Sequence, residues 1–342
     1  MFKKAFIIRK FMTETPQGGP MGGELAYNVP DKPEIYRPKV TIPVASSFEG
    51  VVNDGAPECG LVSWNAYPNF FGHRYETDAF GYLRAQEAFK AFLKLRPLVE
   101  VASDYMAILK MINKYERQAR ELAKHGAPQE AYRFFINNFV DTAVEIGAEQ
   151  LAGFDRRFYA ERKRLQNFDY DAWLGLQSLM PGSMEQFRLL HDTAEYESPE
   201  SVRVTRGFVP WFATAKDEES THALCLFYST SGALKPQDVT GERCVMPRKR
   251  IIGKERTRVK NEQLKRIAEE EDVRREQVFY VNDRFDREHA ELREAGFPHQ
   301  FIVTGGYAFP WEYDEAQQAG IVVVKREELA YSLGEYAKEK GF

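Results

Sequence analysis

The feature that most constrains the fold is a buried strand that ends in two acidic residues and is followed by a short helix and a second strand. The apolar run 278–281 leads into Asp283 and Asp286, a helical segment covers 286–295, and a second apolar run covers 301–304. In an open α/β sheet, a hydrophobic strand of this kind presents its acidic residues to the crevice where ligands bind. This stretch therefore predicts a parallel sheet with a polar site at the carboxyl ends of its strands.

The bulk composition is that of an ordinary globular protein and excludes several function classes. A chain of 342 residues can bury a full core in one large domain or two modest ones. The net charge of −4 gives no global electrostatic case for nucleic acid. None of the three cysteines lies in a Cys-x-x-Cys pattern, so we expect no structural zinc, no disulfide framework and a cytoplasmic location. No apolar run approaches the roughly 20 residues that cross a bilayer, so we expect no membrane association.

Composition also divides the chain into three parts. Residues 13–38 are rich in glycine and proline, and we expect residues 1–38 to form an extended N-terminal arm. Apolar residues at helical spacing predict a helical insertion over 71–215. The remaining segments, 39–70 and 216–342, are predicted to form an α/β core.

Short apolar strands alternate with helices in this core. The predicted strands end near Ser46 and cover 221–228, 278–282, 301–304 and 321–324, and the predicted helices cover 260–271, 286–295 and 326–340. Such alternation is typical of a mostly parallel sheet covered on both faces. We therefore predict an α/β, Rossmann-like fold.

Polar side chains cluster at the ends of the predicted core strands. They are Ser47 and Glu49 after the first strand, Ser229 and Thr230 after the second, Lys260 at the start of a helix, and Asp283 and Asp286 after the third. These loops are expected to meet at one edge of the sheet. An ammonium group and hydroxyls suit a phosphate, and carboxylates suit a hard cation such as Mg²⁺.

This arrangement resembles the haloacid dehalogenase (HAD) superfamily of phosphohydrolases. In that family a strand ends in Asp-x-Asp-Gly, a second ends in Ser or Thr, a Lys precedes a helix, and a third ends in Gly-Asp plus a further acid. Here Asp283 follows Asn282 in place of the usual glycine, and Lys260 lies 23 residues before Asp283. The resemblance covers about 40–70 and 220–330, and the helical insertion lies where the family has a cap.

The first motif departs from the family pattern, because Ser47-Phe48-Glu49-Gly50 stands in place of Asp-x-Asp-Gly. The resemblance implies catalytic roles for Ser47, Glu49 and Lys260, and phosphate-binding roles for Ser229, Thr230 and Lys260. It also implies Mg²⁺ ligation by Asp283, Asp286 and Glu49, weakened by the loss of the first aspartate. A serine hydroxyl brings no charge to a metal and needs a base before it can attack phosphorus. Glu49 is one candidate for that base.

We therefore expect a HAD-like protein with an impaired phosphohydrolase site that binds a phosphorylated ligand or serves assembly as a scaffold pseudoenzyme. The alternative is a slow Mg²⁺-dependent phosphohydrolase acting on a small phosphomonoester. The expected partners are a small phosphorylated ligand, or a protein bound through the N-terminal arm or the cap.

Each candidate residue also has a purely structural interpretation. Asp283 and Asp286 could cap and begin a helix, where acidic side chains favour the helix dipole. Ser229 and Thr230 could form only a turn, and Glu49 could be a surface turn residue. The basic stretch over 248–260 is expected to be a solvated loop rather than a site for RNA or an acidic partner.

Overall fold

A mostly parallel sheet organises the chain. The computed structural model describes residues 34–66, 79–196, 204–228 and 246–342. Its strands are β1 (Thr41–Ser46), β2 (Asn53–Asp54), β3 (Ser178–Leu179), β4 (Glu195–Tyr196), β5 (Val204–Ala213), β6 (Ile251–Ile252), β7 (Phe279–Asn282), β8 (His299–Val303) and β9 (Val322–Val324). Apart from residues 34–38, the predicted N-terminal arm lies outside the described residues.

Seven of these strands form one sheet in the order β4-β5-β1-β7-β8-β9, with β6 also paired to β5. All pairings in it are parallel except β4 with β5, and β2 and β3 form a separate antiparallel pair. The α/β, Rossmann-like fold predicted from the sequence is confirmed. Because β5 and β7 flank β1 on opposite sides, the chain reverses its direction of travel across the sheet at β1. In open α/β sheets such a switch point is where ligands bind.

The helices of the described residues surround and extend this sheet. They are α1 (Ala56–Ala66), α2 (Ala79–Lys94), α3 (Asp104–Lys114), α4 (Glu116–Ala123), α5 (Gln129–Ile146), α6 (Ala148–Phe168), α7 (Tyr170–Leu174), α8 (Ser183–Asp192), α9 (Glu218–Tyr228), α10 (Lys260–Glu270), α11 (Glu288–Glu294), α12 (Glu312–Gln318) and α13 (Leu329–Lys340). None of these helices combines the length and the apolarity that crossing a membrane requires.

The central strands are buried on both faces. In β1 every residue after Thr41 is buried, and β7 is buried throughout. Two hydrophobic clusters cover the sheet, one of which includes Phe279 and Leu333 and the other Tyr280 and Leu264. Continuous apolar strands are expected when helices pack on both faces of a parallel sheet.

The helical insertion has a hydrophobic cluster of its own, built from α1 to α6. The cluster begins in α1, which lies within the segment 39–70 that was assigned to the core. At its other end, the range 71–215 includes β5, which pairs with β1 along six residues. This corrects the boundary: β5 belongs to the sheet, and the continuous helical run ends at α7.

The segment predicted as the second core strand, 221–228, is instead part of helix α9. Its buried residues Thr221, Leu224, Cys225 and Tyr228 recur at helical spacing, so the run is one buried face of a helix. The prediction failed because a short apolar run does not distinguish a strand from a buried helix.

The strand that takes this place is β5, which the sequence analysis missed. It contains Gly207 and Pro210, residues that argue against a central strand. Pro210 pairs with Val44 of β1, while on its other side β5 pairs with β4 at Val204 and Arg206, and with β6 only from Phe212. Proline is tolerated here because the described pairings leave that side of β5 open around it.

Candidate functional site

Ser47 lies directly after β1, at the switch point of the sheet. Its backbone N–H donates to the carbonyl of Val281 at 2.9 Å, which holds the residue beside the end of β7. Its hydroxyl lies 3.4 Å from that of Tyr280, and the Tyr280 hydroxyl donates to Glu288 Oε2 at 2.7 Å. Ser47 is only partly buried. Ser47 is therefore a partly exposed hydroxyl whose side-chain contact is the Tyr280 hydroxyl, which in turn is bonded to Glu288.

Both carboxylate oxygens of Glu49, the candidate base, are already bonded to other side chains. Lys216 Nζ lies 2.9 Å from Glu49 Oε1, and the Asn53 side chain donates to both carboxylate oxygens at 3.1 Å. The side chain of Lys216 is only 4% exposed. Glu49 is therefore fixed as one half of a mostly buried ion pair, and Ser47 has its hydrogen-bond contact elsewhere.

The loop after β5 supplies the polar residues expected after the second strand. Thr214 is buried, and its hydroxyl accepts a hydrogen bond from the backbone N–H of Lys216 at 3.0 Å. Ser229 and Thr230, which were predicted for this role, lie outside the described residues. The signal that could have found Thr214 is the apolar run 208–213 directly before it, which Gly207 and Pro210 obscured.

Lys260 begins helix α10 and reaches the same edge. Its ammonium donates to the carbonyl of Ala213, the last residue of β5, at 2.6 Å. Burial lowers the pKa of Lys260, and the nearby carboxylates of Glu288, Asp286 and Asp283 oppose that shift. The structure thus places Lys260 and Lys216 at the end of β5, beside the end of β1 that Ser47 follows.

Asp283 follows β7 and is buried. Its Oδ2 accepts the backbone N–H of Tyr307 at 2.9 Å. Burial raises the pKa of Asp283, while the hydrogen bond from Tyr307 and the charges of Arg284 and Arg96 partly oppose the rise. The site therefore contains a carboxylate that burial destabilises in its charged form.

Two glycines allow the backbone to approach Asp283. Gly50 has a positive φ of 76°, and a Cβ there would lie 1.8 Å from Asp283 Oδ2. A Cβ on Gly306 would lie 2.4 Å from the Cβ of Asp283. The first-motif glycine is therefore required both by its backbone conformation and by the space that Asp283 occupies.

Asp286 has a different environment from Asp283. Its Oδ2 accepts from Arg284 Nε at 3.0 Å and its Oδ1 from the backbone N–H of Glu288 at 2.9 Å. Asp286 thus stabilises the turn that leads into α11, as the structural interpretation expected. The described residues contain no group of three or more His, Cys, Asp or Glu placed to hold a metal ion. The structure therefore does not bring Glu49, Asp283 and Asp286 together as one donor set for Mg²⁺.

The helical insertion meets the site through two arginines. Arg96, in the 3₁₀ turn Arg96–Leu98, lies 4.5 Å from the ring centre of Tyr307, whose hydroxyl donates to Asp54 Oδ1 at 2.9 Å. Arg284, in the loop after β7, donates to the carbonyl of Val99 at 2.8 Å. Contacts from both sides therefore join the insertion to the loops that surround Asp283.

Comparison with known proteins supplements this geometry. No protein-family model matches the chain, and no curated protein does. Solved structures that are similar include a haloacid dehalogenase-like family hydrolase from Streptococcus pneumoniae, with 11% identity, a TM-score of 0.46 and coverage of 86% of this chain and 98% of that one.

Two further solved structures are a predicted phosphatase from Clostridium acetobutylicum and a predicted phosphoglycolate phosphatase from Haemophilus somnus. The first has 12% identity, a TM-score of 0.43 and coverage of 88% of this chain and 99% of that one. The second has 12% identity, a TM-score of 0.45 and coverage of 84% and 96%. At these identities and TM-scores, the similarity carries no conclusion about what this chain binds or does.

Proposed function

We propose that this chain is a HAD-like protein that binds a phosphorylated small ligand at the carboxyl edge of its sheet and is impaired as an ordinary phosphohydrolase. The observation that carries the proposal is the Lys216–Glu49 ion pair, 2.9 Å across, beside a serine in the nucleophile position. Glu49 is the one acidic residue in Ser47-Phe48-Glu49-Gly50, and its bond to Lys216 leaves it unavailable as a base for Ser47.

The case for a phosphate group rests on the two lysines. Lys216 lies two residues after Thr214 in the loop that follows β5, and Lys260, at the start of α10, donates to the carbonyl of Ala213 at the end of β5. Lysine binds phosphate as a point charge, and hydroxyls donate to its oxygens. Partial burial strengthens the attraction between an ammonium group and an anion, because less water screens it.

The case against ordinary turnover rests on the charge of the nucleophile. A carboxylate is ionised at neutral pH and attacks phosphorus without a base, whereas a serine hydroxyl must first lose a proton. Glu49 is not free to take that proton, since Lys216 and Asn53 hold both of its oxygens. The donor set for Mg²⁺ is equally incomplete, because Asp286 is bonded to Arg284.

The test pairs phosphate binding with turnover. Calorimetric titration with inorganic phosphate, with and without Mg²⁺, is expected to show binding to the wild type that weakens in Lys260→Met. The matched control is Lys265→Met on the same helix, where the lysine forms a near-surface pair with Glu262. Lys265→Met should bind phosphate as the wild type does.

Steady-state hydrolysis of a phosphomonoester panel completes the test. The wild type is expected to show no sustained turnover, and Ser47→Asp is expected to gain some. Sustained turnover in the wild type that both Ser47→Ala and Asp283→Asn abolish would show a working phosphohydrolase and overturn the proposal. Absence of phosphate binding in the wild type would overturn the ligand-binding part of the proposal.

A further inference from the structure

Ser47, Tyr280 and Glu288 form a chain of polar side chains with a defined direction. A glutamate carboxylate only accepts hydrogen bonds, so the proton of the Tyr280 hydroxyl is the one shared with Glu288 across 2.7 Å. The lone pairs of the phenol oxygen are then left to face the Ser47 hydroxyl, 3.4 Å away. Ser47 is thus the donor at one end of the chain, and Glu288 is the acceptor at the other.

The sheet register brings the first two of these residues together. Ala45 of β1 pairs with Tyr280 of β7, and side chains two residues apart on a strand point to the same face. Ser47 continues β1 by two residues beyond Ala45, and so its side chain lies on the Tyr280 face. Glu288, the first residue of α11, reaches that face from the following loop.

The surroundings keep the tyrosine protonated and place a cation beside it. Tyr280 is fully buried, and burial together with the charges of Glu288 and Asp286 raises its pKa well above the ordinary value. A phenol that does not ionise can pass a proton on without holding a charge. Lys260 Nζ lies 5.7 Å from the centre of the Tyr280 ring, where it can attract an anionic group that approaches Ser47.

We propose that Ser47 accepts a phosphoryl group, with its proton passing through Tyr280 to Glu288; this rests on the phosphate binding proposed above. The Ser47 Oγ–P bond forms as the bond between phosphorus and the leaving-group oxygen breaks. The leaving group departs with the electron pair of that bond. The hydroxyl proton of Ser47 moves to the Tyr280 oxygen, and the original Tyr280 proton moves to the Glu288 carboxylate. The product is a phosphoserine at the end of β1.

This step differs from the use of Glu49 as the base. Glu49 forms an ion pair with Lys216. Among the described residues, Glu288 has no Lys, Arg or His side-chain nitrogen within 4.0 Å of its carboxylate oxygens. Tyr280 is therefore a positioning and relay residue that acts through Ser47. Its removal should slow phosphoryl transfer without weakening phosphate binding.

The experiment uses p-nitrophenyl phosphate as the phosphoryl donor, because nitrophenolate leaves without needing a proton. Intact-mass spectrometry of the full chain is expected to show a time-dependent gain of one phosphoryl group, and peptide fragmentation is expected to place it on Ser47. The neighbouring Ser46 is fully buried and donates to the Ser47 carbonyl at 2.8 Å, so it should stay unmodified.

Four variants separate the relay from a structural role. Ser47→Ala should abolish labelling, and Tyr280→Phe and Glu288→Gln should slow it by roughly 10²-fold, the usual contribution of a positioned base. Glu288→Gln keeps a hydrogen-bond acceptor for Tyr280 and so preserves the local packing. Glu291→Gln, an exposed change on the same helix, is the matched control and should label at the wild-type rate.

The affinity for inorganic phosphate, measured on the same variants, distinguishes the two proposals. Slow labelling with unchanged phosphate affinity in Tyr280→Phe and Glu288→Gln supports the relay. Phosphate binding by the wild type with no phosphoserine would overturn the relay and leave the proposed function standing. Labelling that proceeds normally in Glu288→Gln would also overturn it, and a chain that neither binds phosphate nor labels would overturn both proposals.

Discussion

Two buried carboxylates, Glu58 in the helical insertion and Asp283 at the sheet edge, lie in opposite electrostatic environments. Glu58 is fully buried and receives two hydrogen bonds of 2.7 Å from Arg162 Nε and Nη2. Burial alone would raise the pKa of Glu58, but the guanidinium of Arg162 more than offsets this and holds it below the ordinary value. For Asp283 the opposing groups do not offset burial, and its pKa is raised.

The two environments distinguish a carboxylate that stabilises the fold from one that is a candidate for ligand binding. A buried carboxylate with a bidentate arginine joins two helices, here α1 and α6, and its charge is already balanced. A buried carboxylate without such a partner lowers the stability of the fold at neutral pH, and groups of that kind concentrate where ligands bind. Asp283 therefore remains a candidate for ligand binding, whereas Glu58 stabilises the packing of the insertion.

The largest expected effect comes from removing the partner of Glu58. Arg162→Met leaves an uncompensated charge in the insertion and should lower the free energy of unfolding by about 3–5 kcal/mol. The matched control is Arg164→Met on the same helix, where an exposed pair with Glu161 contributes at most about 1 kcal/mol. Urea unfolding of both variants measures the difference, and equal small losses would break the comparison.

A smaller loss is expected where the insertion meets the site. Arg284 donates to Val99 and pairs with Asp286, so Arg284→Met should lower the free energy of unfolding by about 2 kcal/mol. Arg287→Met, three residues on and highly exposed, should change it little. Proteolysis of the folded variants reports whether the insertion opens locally, and equal behaviour of the two would argue against Arg284 as a connection.

The third prediction concerns a gain in stability at the site. Asp283→Asn removes a charge that burial disfavours and should raise the free energy of unfolding by about 1 kcal/mol at neutral pH. Because the folded-state pKa of Asp283 is raised, the wild type recovers stability as the pH falls through that pKa towards the ordinary value of 3.8. The gain from Asp283→Asn should therefore shrink on acidification.

Asp286→Asn is the control, for which the free energy of unfolding is expected to change in the opposite direction. It removes the charge that Arg284 pairs with and so should lower stability at neutral pH. Chemical unfolding of both variants at neutral and at mildly acidic pH measures the contrast. A loss of stability in Asp283→Asn at neutral pH would place Asp283 with the structural carboxylates instead.

The smallest expected effect concerns a third carboxylate, Glu312, whose pKa is also raised by burial. Burial raises the pKa of Glu312, at the start of α12, to about 7. Since the folded-state pKa is raised, wild-type stability should fall as the pH rises through about 7, and Glu312→Gln should remove that slope. Because Glu312 is only partly buried, solvent screening should keep the change in the free energy of unfolding small. Thermal unfolding across this pH range tests it, with the exposed Glu315→Gln as the control that keeps the slope.

Much of the fold could be predicted because its central strands are continuous apolar runs. β1 and β7 were found for that reason, and α10 was found from the helical spacing of Leu264, Ile267 and Ala268. β5 was missed because proline and glycine interrupt its pattern. The apolar face of α9 was taken for a strand in its place, since burial makes both kinds of segment apolar.

The candidate site divides in a similar way. Motif spacing located Ser47, Glu49, Lys260 and Asp283, because each follows a strand or begins a helix. Their partners were not predicted: Lys216 for Glu49, Tyr280 for Ser47, and Arg284 for Asp286. Lys216 and Glu49 lie far apart in the chain and meet only because β5 pairs with β1.

The sequence by itself determined that this chain builds a parallel α/β sheet and that polar residues end its strands, because apolar runs and their periodicity are local properties. It also determined that a serine, Ser47, directly follows the first central strand. Only the tertiary structure decided which charge each acid meets, and so which carboxylates are paired and which are available. The physical reason is that the protonation of a buried group depends on desolvation and on charges within a few ångströms, and strand pairing brings those charges from distant parts of the chain.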